Sequence, residues 1–257
     1  MRIVAVFNPK GGAGKTTLAA NLSAAWALAG HRGVAVDFDP QNTLTRLLID
    51  PAAVGGATMY EAIRPDFPDV GIAEVLAPTR IEGLSVAPAG PNLRNLRYEL
   101  VTVAYREQVL VRVLEGLEGV DWALIDCPPD EGPLAMAALH AADAVIAPIN
   151  MRDAESLLSL QTLKATLGPI AAHRGGLPEV AAVVRIARAE RRTATRMIEA
   201  TLDQIGLPVA AHCTTQSAEW ENATNRRGVL VVTRPRSGES RELAELALEL
   251  WNTTEEK

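Results

Sequence analysis

Cysteine is almost missing from this chain of 257 residues. Cys127 and Cys213 stand far apart and without C-x-x-C spacing, which excludes a disulfide framework and gives no zinc or iron–sulfur pattern. That usage suits a reducing compartment. Aromatics supply only 4% of residues against a hydrophobic share of 48%, a composition rich in Ala, Leu and Val that fits helices packed on a parallel sheet better than an all-β sandwich. His31, His140, His173 and His212 show no metal-ligand spacing. No apolar run approaches the roughly 20 residues of a membrane span. The opening MRIVAVFNPK is apolar for one strand's length only and has no small-residue cleavage site, so a cytoplasmic protein is expected. Lysine is the scarcest charge, four residues against 21 arginines, and two of the four are Lys10 and Lys15 in one glycine-rich loop.

Apolar runs alternate with helical periodicity. Strands are expected near residues 2–7, 33–37, 84–87, 121–125, 143–148, 179–184, 209–213 and 229–232. Helices are expected over 16–29, 93–117, 153–167, 189–205 and 239–250, some stopped by glycine, such as Gly30, Gly116 and Gly168. This βαβ rhythm predicts an α/β fold, a doubly wound, mostly parallel sheet with helices on both faces, in a single domain over residues 1–257. Asp50 to Pro91 reads as a surface excursion with a short helix at Met59 to Ile63. No helix-turn-helix module is expected ahead of the first strand.

The stretch FNPKGGAGKTT lies between the first strand and the first helix, the context in which a glycine-rich loop binds phosphate. Gly11, Gly12, Ala13 and Gly14 let successive N–H groups converge on phosphate oxygens at a helix N-terminus, where the helix dipole favours an anion. Lys15 adds a point charge, Thr16 a hydroxyl for Mg²⁺ and Thr17 a hydroxyl for a nearer phosphate. Pro9 stands where the ordinary G-x-x-x-x-G-K-[ST] pattern has glycine, and Lys10 is a second lysine that pattern does not require. Asp37 and Asp39 follow the run Val34 to Val36, and Asp126 follows Trp122 to Ile125, so all three fall at C-terminal strand ends, where open α/β sheets bind ligands.

KGGAGKTT resembles the deviant phosphate loop of the ParA/MinD family of ATPases, in its ParA, DNA-partitioning branch. DFDPQNT at 37–43 is similar to that family's D-x-D-P-Q segment, and ALIDCPP at 123–129 to its Walker B strand and trailing prolines. The resemblance implies ATP and Mg²⁺ as cofactors, with Thr16, Asp37 and Asp126 at the metal. It implies that Asp39 orients or deprotonates the attacking water. It also gives Lys10 a use: the early lysine reaches across a sandwich homodimer to the partner's ATP, so Lys10, Lys15 and Asp39 form the catalytic set. Gly11 would then be small so that two loops can approach. Asp130 and Glu131 are acidic where relatives carry small or apolar residues, and take no role.

Net charge is −6, yet residues 185–196 and 226–241 each carry five arginines and one glutamate. Relatives hold non-specific DNA through basic residues near the C-terminus, which nominates Arg188, Arg192, Arg196, Arg226, Arg227, Arg234, Arg236 and Arg241. Glu219 and Gly238 stand where close relatives have DNA-contacting arginines, and Arg188 where an aspartate is frequent. The resemblance further implies a ParB-like partner that stimulates hydrolysis. The last helix ends acidic and argues against a membrane anchor. Two alternatives share the loop: a switch that positions a protein complex without DNA, and a small-molecule kinase or ligase.

Overall fold

The computed structural model describes residues 1–50, 52, 54–64, 70–152, 155–187, 193–215, 217–225 and 228–255. Its centre is a seven-stranded sheet: β1 (Arg2–Val6), β2 (Gly33–Asp37), β3 (Ala77–Pro78), β4 (Leu84–Ala87), β5 (Trp122–Asp126), β6 (Ala144–Asn150) and β7 (Glu179–Ile186). The spatial order is β3-β4-β2-β5-β1-β6-β7; only β3 is antiparallel. The inner strands are buried on both faces, as their continuous Val, Ala, Leu and Ile runs require. Along β1 and its first following residue, Ala5 and Phe7 pack to one side while Val4 and Val6 pack to the other, the two-residue alternation that feeds two separate cores.

One layer contains α1 (Lys15–Leu28), α2 (Thr43–Leu48), α11 (Leu230–Thr233) and α12 (Gly238–Glu255). The other contains α3 (Met59–Ile63), α4 (Ile72–Val75), α5 (Leu96–Glu99), α6 (Val109–Leu114), α7 (Pro133–Ala141), α8 (Glu155–His173) and α9 (Thr193–Ile205). α10 (Ala218–Asn225) leans on the first layer through Trp220. Helix α1 is buried almost all round, which its Ala-rich sequence permits. Among its buried polar residues, Asn21 donates to the Thr17 carbonyl and accepts from Val231 N–H of α11. The doubly wound arrangement with helices on both faces is therefore as expected.

Several elements depart from expectation. Residues 230–232 belong to α11, capped by Val229, and form no strand: Val229 and Val231 are buried in the core that α1 shares, and a short apolar run satisfies either geometry. Residues 209–213 make only one isolated bridge, Val183 to Val209. The stretch 93–117 is broken into short turns, α5 and α6, with Val103 extended and Tyr105 left-handed at φ 55°. Helix α8 runs through Gly168 and Pro169 to His173, because Leu163, Leu167 and Ile170 keep one buried stripe across that point. The segment after Asp50 is more than a surface excursion, since Met59, Ile63, Ile72 and Val75 enter the core.

Candidate nucleotide site

Strand β1 delivers the chain into a loop over residues 7–14 at the carboxyl edge of the sheet. Asn8 is fully buried and fixes the loop to a neighbouring strand: its Nδ2 donates to the Pro148 carbonyl at 2.8 Å, and its Oδ1 accepts the Lys10 N–H at 2.8 Å. Gly12 (φ 74°) and Gly14 (φ 91°) are left-handed, a conformation a Cβ disfavours, and Gly14 caps α1. The first N–H groups of α1 have no acceptor inside the helix and face the loop's concavity. Lys15 is buried, and its Nζ donates to the carbonyls of Asn8 (2.9 Å) and Lys10 (3.0 Å). Burial lowers its pKa, opposed by the fields of Asp126, Cys127, Asp39 and Asp130. Asn150 Nδ2 lies 3.5 Å from the Gly12 carbonyl on the far side of the loop.

Asp126 and Asp39 act on this ammonium through their charge, and Asp37 lies beside Asp126. Asp37 and Asp126 are side by side in the β2–β5 register, and Asp126 also pairs with Val6 at the loop's root. Asp37 Oδ2 accepts the N–H (2.8 Å) and hydroxyl (2.7 Å) of Thr45 on α2, while its Oδ1 is buried without a partner. Burial raises its pKa to about 6, against the Thr45 hydrogen bonds. Both oxygens of Asp126 are buried outside hydrogen-bond geometry. Its pKa stands well above the usual carboxylate range because of burial first and the Asp37 charge second; the nearby Thr16 hydroxyl and Lys15 ease this only partly. Asp39 is buried, its Oδ1 accepting Gln41 N–H at 2.9 Å, and burial raises its pKa while Lys15 and Arg97 pull it down.

An orphaned buried carboxylate with a threonine hydroxyl beside it and a second carboxylate in register is a donor set suited to a hard divalent cation. Among the described residues no group of three His, Cys, Asp or Glu side chains is set to hold a metal unaided. A cation here would need oxygens from a bound anion as well. Beside the loop, Thr17, Leu18, Ile186, Thr214, Thr215 and Trp220 line a cavity of about 150 Å³. A larger groove of about 280 Å³ between α2 and α11 lies away from the loop and the carboxylates.

Of the expected DNA contacts, Arg188, Arg192, Arg226 and Arg227 lie outside the described residues. Arg196, Arg236 and Arg241 are exposed. Arg234 is exposed too, but its Nε lies 3.7 Å from Glu219 Oε2, so one of the departures noted in sequence offsets one of the candidates. Arg185, in the other basic stretch, is held by the Ala210 and Ala211 carbonyls and Glu199. Sequence reading missed Asn8, Asn150 and Arg97, single polar residues with no spacing pattern to mark them.

A family model described as "AAA domain" matches residues 1–174, the part of the chain that holds the loop and all three aspartates. The chain belongs to this family, in its ParA/MinD group. It is 44% identical over 150 residues to the chromosome partitioning protein ParA of Myxococcus xanthus, covering 58% of this chain and 52% of that protein. It is 38% identical over 149 residues to the sporulation initiation inhibitor protein Soj of Bacillus subtilis, covering 58% of each. The chain thus spans about half the length of the curated relatives it matches. Among solved structures, cobyrinic acid a,c-diamide synthase from Mycobacterium smegmatis with bound ATP analog and magnesium is 29% identical with a TM-score of 0.84, over 100% of this chain and 96% of that one. McdA from Cyanothece is 20% identical with a TM-score of 0.85, over 98% and 99%, a likeness of fold. Both basic stretches lie beyond the residues that the family model matches.

Proposed function

We propose that this chain is a cytoplasmic, Mg²⁺-dependent ATPase of the ParA type, in which ATP binding closes a sandwich homodimer and hydrolysis opens it. The observation that carries this reading is the convergence of buried Lys15, Asp37, Asp39 and Asp126 at a left-handed glycine loop, with both Asp126 oxygens unpartnered. The phosphates would lie against the loop from Gly11 to Gly14 and the first N–H groups of α1, with Lys15 exchanging its loop carbonyls for phosphate oxygens. Thr16, Asp37 and Asp126 would hold Mg²⁺, which supplies charge neutralisation at the phosphates. Thr17 would take a nearer phosphate oxygen. Asp39 would orient the attacking water, positioning being most of what phosphoryl transfer requires. The cavity beside Thr17 would take the base, with Leu18, Ile186 and Trp220 supplying apolar surface for a flat ring.

Lys10 would reach the partner subunit's triphosphate and cancel repulsion between two anions brought face to face. The dimer would engage non-specific DNA through exposed arginines, and a ParB-like partner would stimulate hydrolysis to release it. Analytical ultracentrifugation of the protein with non-hydrolysable ATP, with duplex DNA titrated in, tests both steps. A monomer at saturating nucleotide would sink the cycle.

Two other readings have an observation behind them. The Glu219–Arg234 pair favours a switch that positions a protein complex without DNA, and a gel shift with random duplex, with and without ATP, separates the two. Likeness to cobyrinic acid a,c-diamide synthase over the whole chain favours a ligase or kinase acting on a small molecule. That reading requires ATP turnover to depend on an acceptor and to be indifferent to Lys10→Ala.

A further inference from the structure

Asp130, left without a role in the sequence, sits just beyond the loop and is held on both oxygens. Oδ1 accepts the N–H of Gly132, the cap of α7, at 2.9 Å, and Oδ2 meets Arg97 Nη2 of α5 at 2.9 Å. Both side chains are a little over a third exposed, at the open edge of the site, while Arg97 Nε is buried without a partner. Asp130 lies in the turn between β5 and α7, and β5 ends at Asp126 in register with Val6 at the root of the phosphate loop. The pair therefore borders the carboxyl edge that carries Lys15 and Asp39; the Asp130 charge is felt at both, and the Arg97 charge at Asp39. A carboxylate fixed there would repel an approaching γ-phosphate, and the guanidinium cancels that charge where it stands. A diphosphate ends one phosphoryl group short and feels the carboxylate less.

We propose that Arg97 preserves the preference of the site for a nucleoside triphosphate over a diphosphate, as a positioning residue that neutralises Asp130 in the ion pair. The inference rests on the reading of the loop as a nucleotide site. Without Arg97, Asp130 is a bare anion beside the γ-phosphate position. Without both, the field there returns to near neutral, so the second substitution should undo the first.

The test is a set of affinities for ADP and non-hydrolysable ATP, with Mg²⁺, measured by calorimetry on the intact chain and its variants. Arg97→Ala should weaken the triphosphate about fivefold more than the diphosphate, the size of a part-exposed charge contact. Arg97→Lys should retain most of the preference, and Arg97→Ala with Asp130→Asn should restore it. Equal losses for both nucleotides, or a double variant no better than Arg97→Ala, would overturn the proposal and assign the pair a structural role. An unmodified chain that binds neither nucleotide overturns the nucleotide reading itself, and this inference with it.

Discussion

Asp37 is pulled two ways. Thr45 fixes one of its oxygens through two hydrogen bonds, yet the other is buried without a partner beside Asp126, and its pKa rises to about 6. An acid whose folded pKa lies above its unfolded value binds extra protons on folding, so stability falls as pH rises from about 4 to about 6 and stays lower above. The shift corresponds to a loss on the order of 3 kcal/mol. Asp37→Asn removes the charge and leaves an oxygen for Thr45. In thermal melts of nucleotide- and metal-free protein, the wild type should lose several degrees across that window relative to Asp37→Asn, and Mg²⁺ with ATP should restore the wild type alone. Parallel melting curves would refute this account of Asp37. The aspartates were legible in sequence because apolar strands end immediately before them. Asn8 was not, because what makes it matter is a carbonyl 140 residues away, on Pro148.

At the scale of elements, α12 supports from outside the cavity beside Thr17 that is proposed for the base. Glu242 accepts the N–H and hydroxyl of Thr215, Glu239 accepts the Ser217 hydroxyl, and Glu249 accepts the N–H groups of Ala211 and His212. Three carboxylates on one helix thus hold Ala211, His212, Thr215 and Ser217, of which Thr215 and Ser217 line the cavity. Removing Glu242 frees Thr215 without touching the phosphate loop. Glu242→Ala should therefore weaken ATP about fivefold, the size of one typical net hydrogen bond, and leave inorganic triphosphate unchanged in competition binding. Equal effects on both would place the base elsewhere. The long periodic helices and inner strands were legible, since their period is set by one buried face. The failures fall where two backbone geometries bury the same side chains. Leu230 and Val231 are as well covered in α11 as in a strand, and Gly168 does not stop α8 because packing on either side outweighs its propensity.

At the scale of the molecule, the proposed cycle requires surfaces that are indifferent in the monomer and decisive in the assembly. Gly11 is exposed, and a Cβ built there meets nothing within 4 Å of its own chain. Gly11→Val should therefore leave the monomer's melting temperature and ATP affinity near wild type while abolishing nucleotide-dependent dimerisation in ultracentrifugation. A valine variant that still dimerises would remove the close loop-to-loop approach. Charge poses the second requirement. A chain of net charge −6 can hold DNA only through a local basic face, and Glu219 withdraws Arg234 from that face at 3.7 Å. Glu219→Ala returns one cation to solvent and removes one anion. If the face around Arg234, Arg236 and Arg241 meets phosphates, the ATP-bound variant should retain duplex at higher salt than wild type. The plot of log affinity against log salt should steepen by about 0.9, the release of counterions at one more phosphate. An unchanged slope would put Arg234 off the contact surface. No retention by either protein at low salt would favour the protein-positioning switch, because an acidic body whose exposed arginines fail to hold a polyanion even unscreened must dock its dimer on another kind of surface.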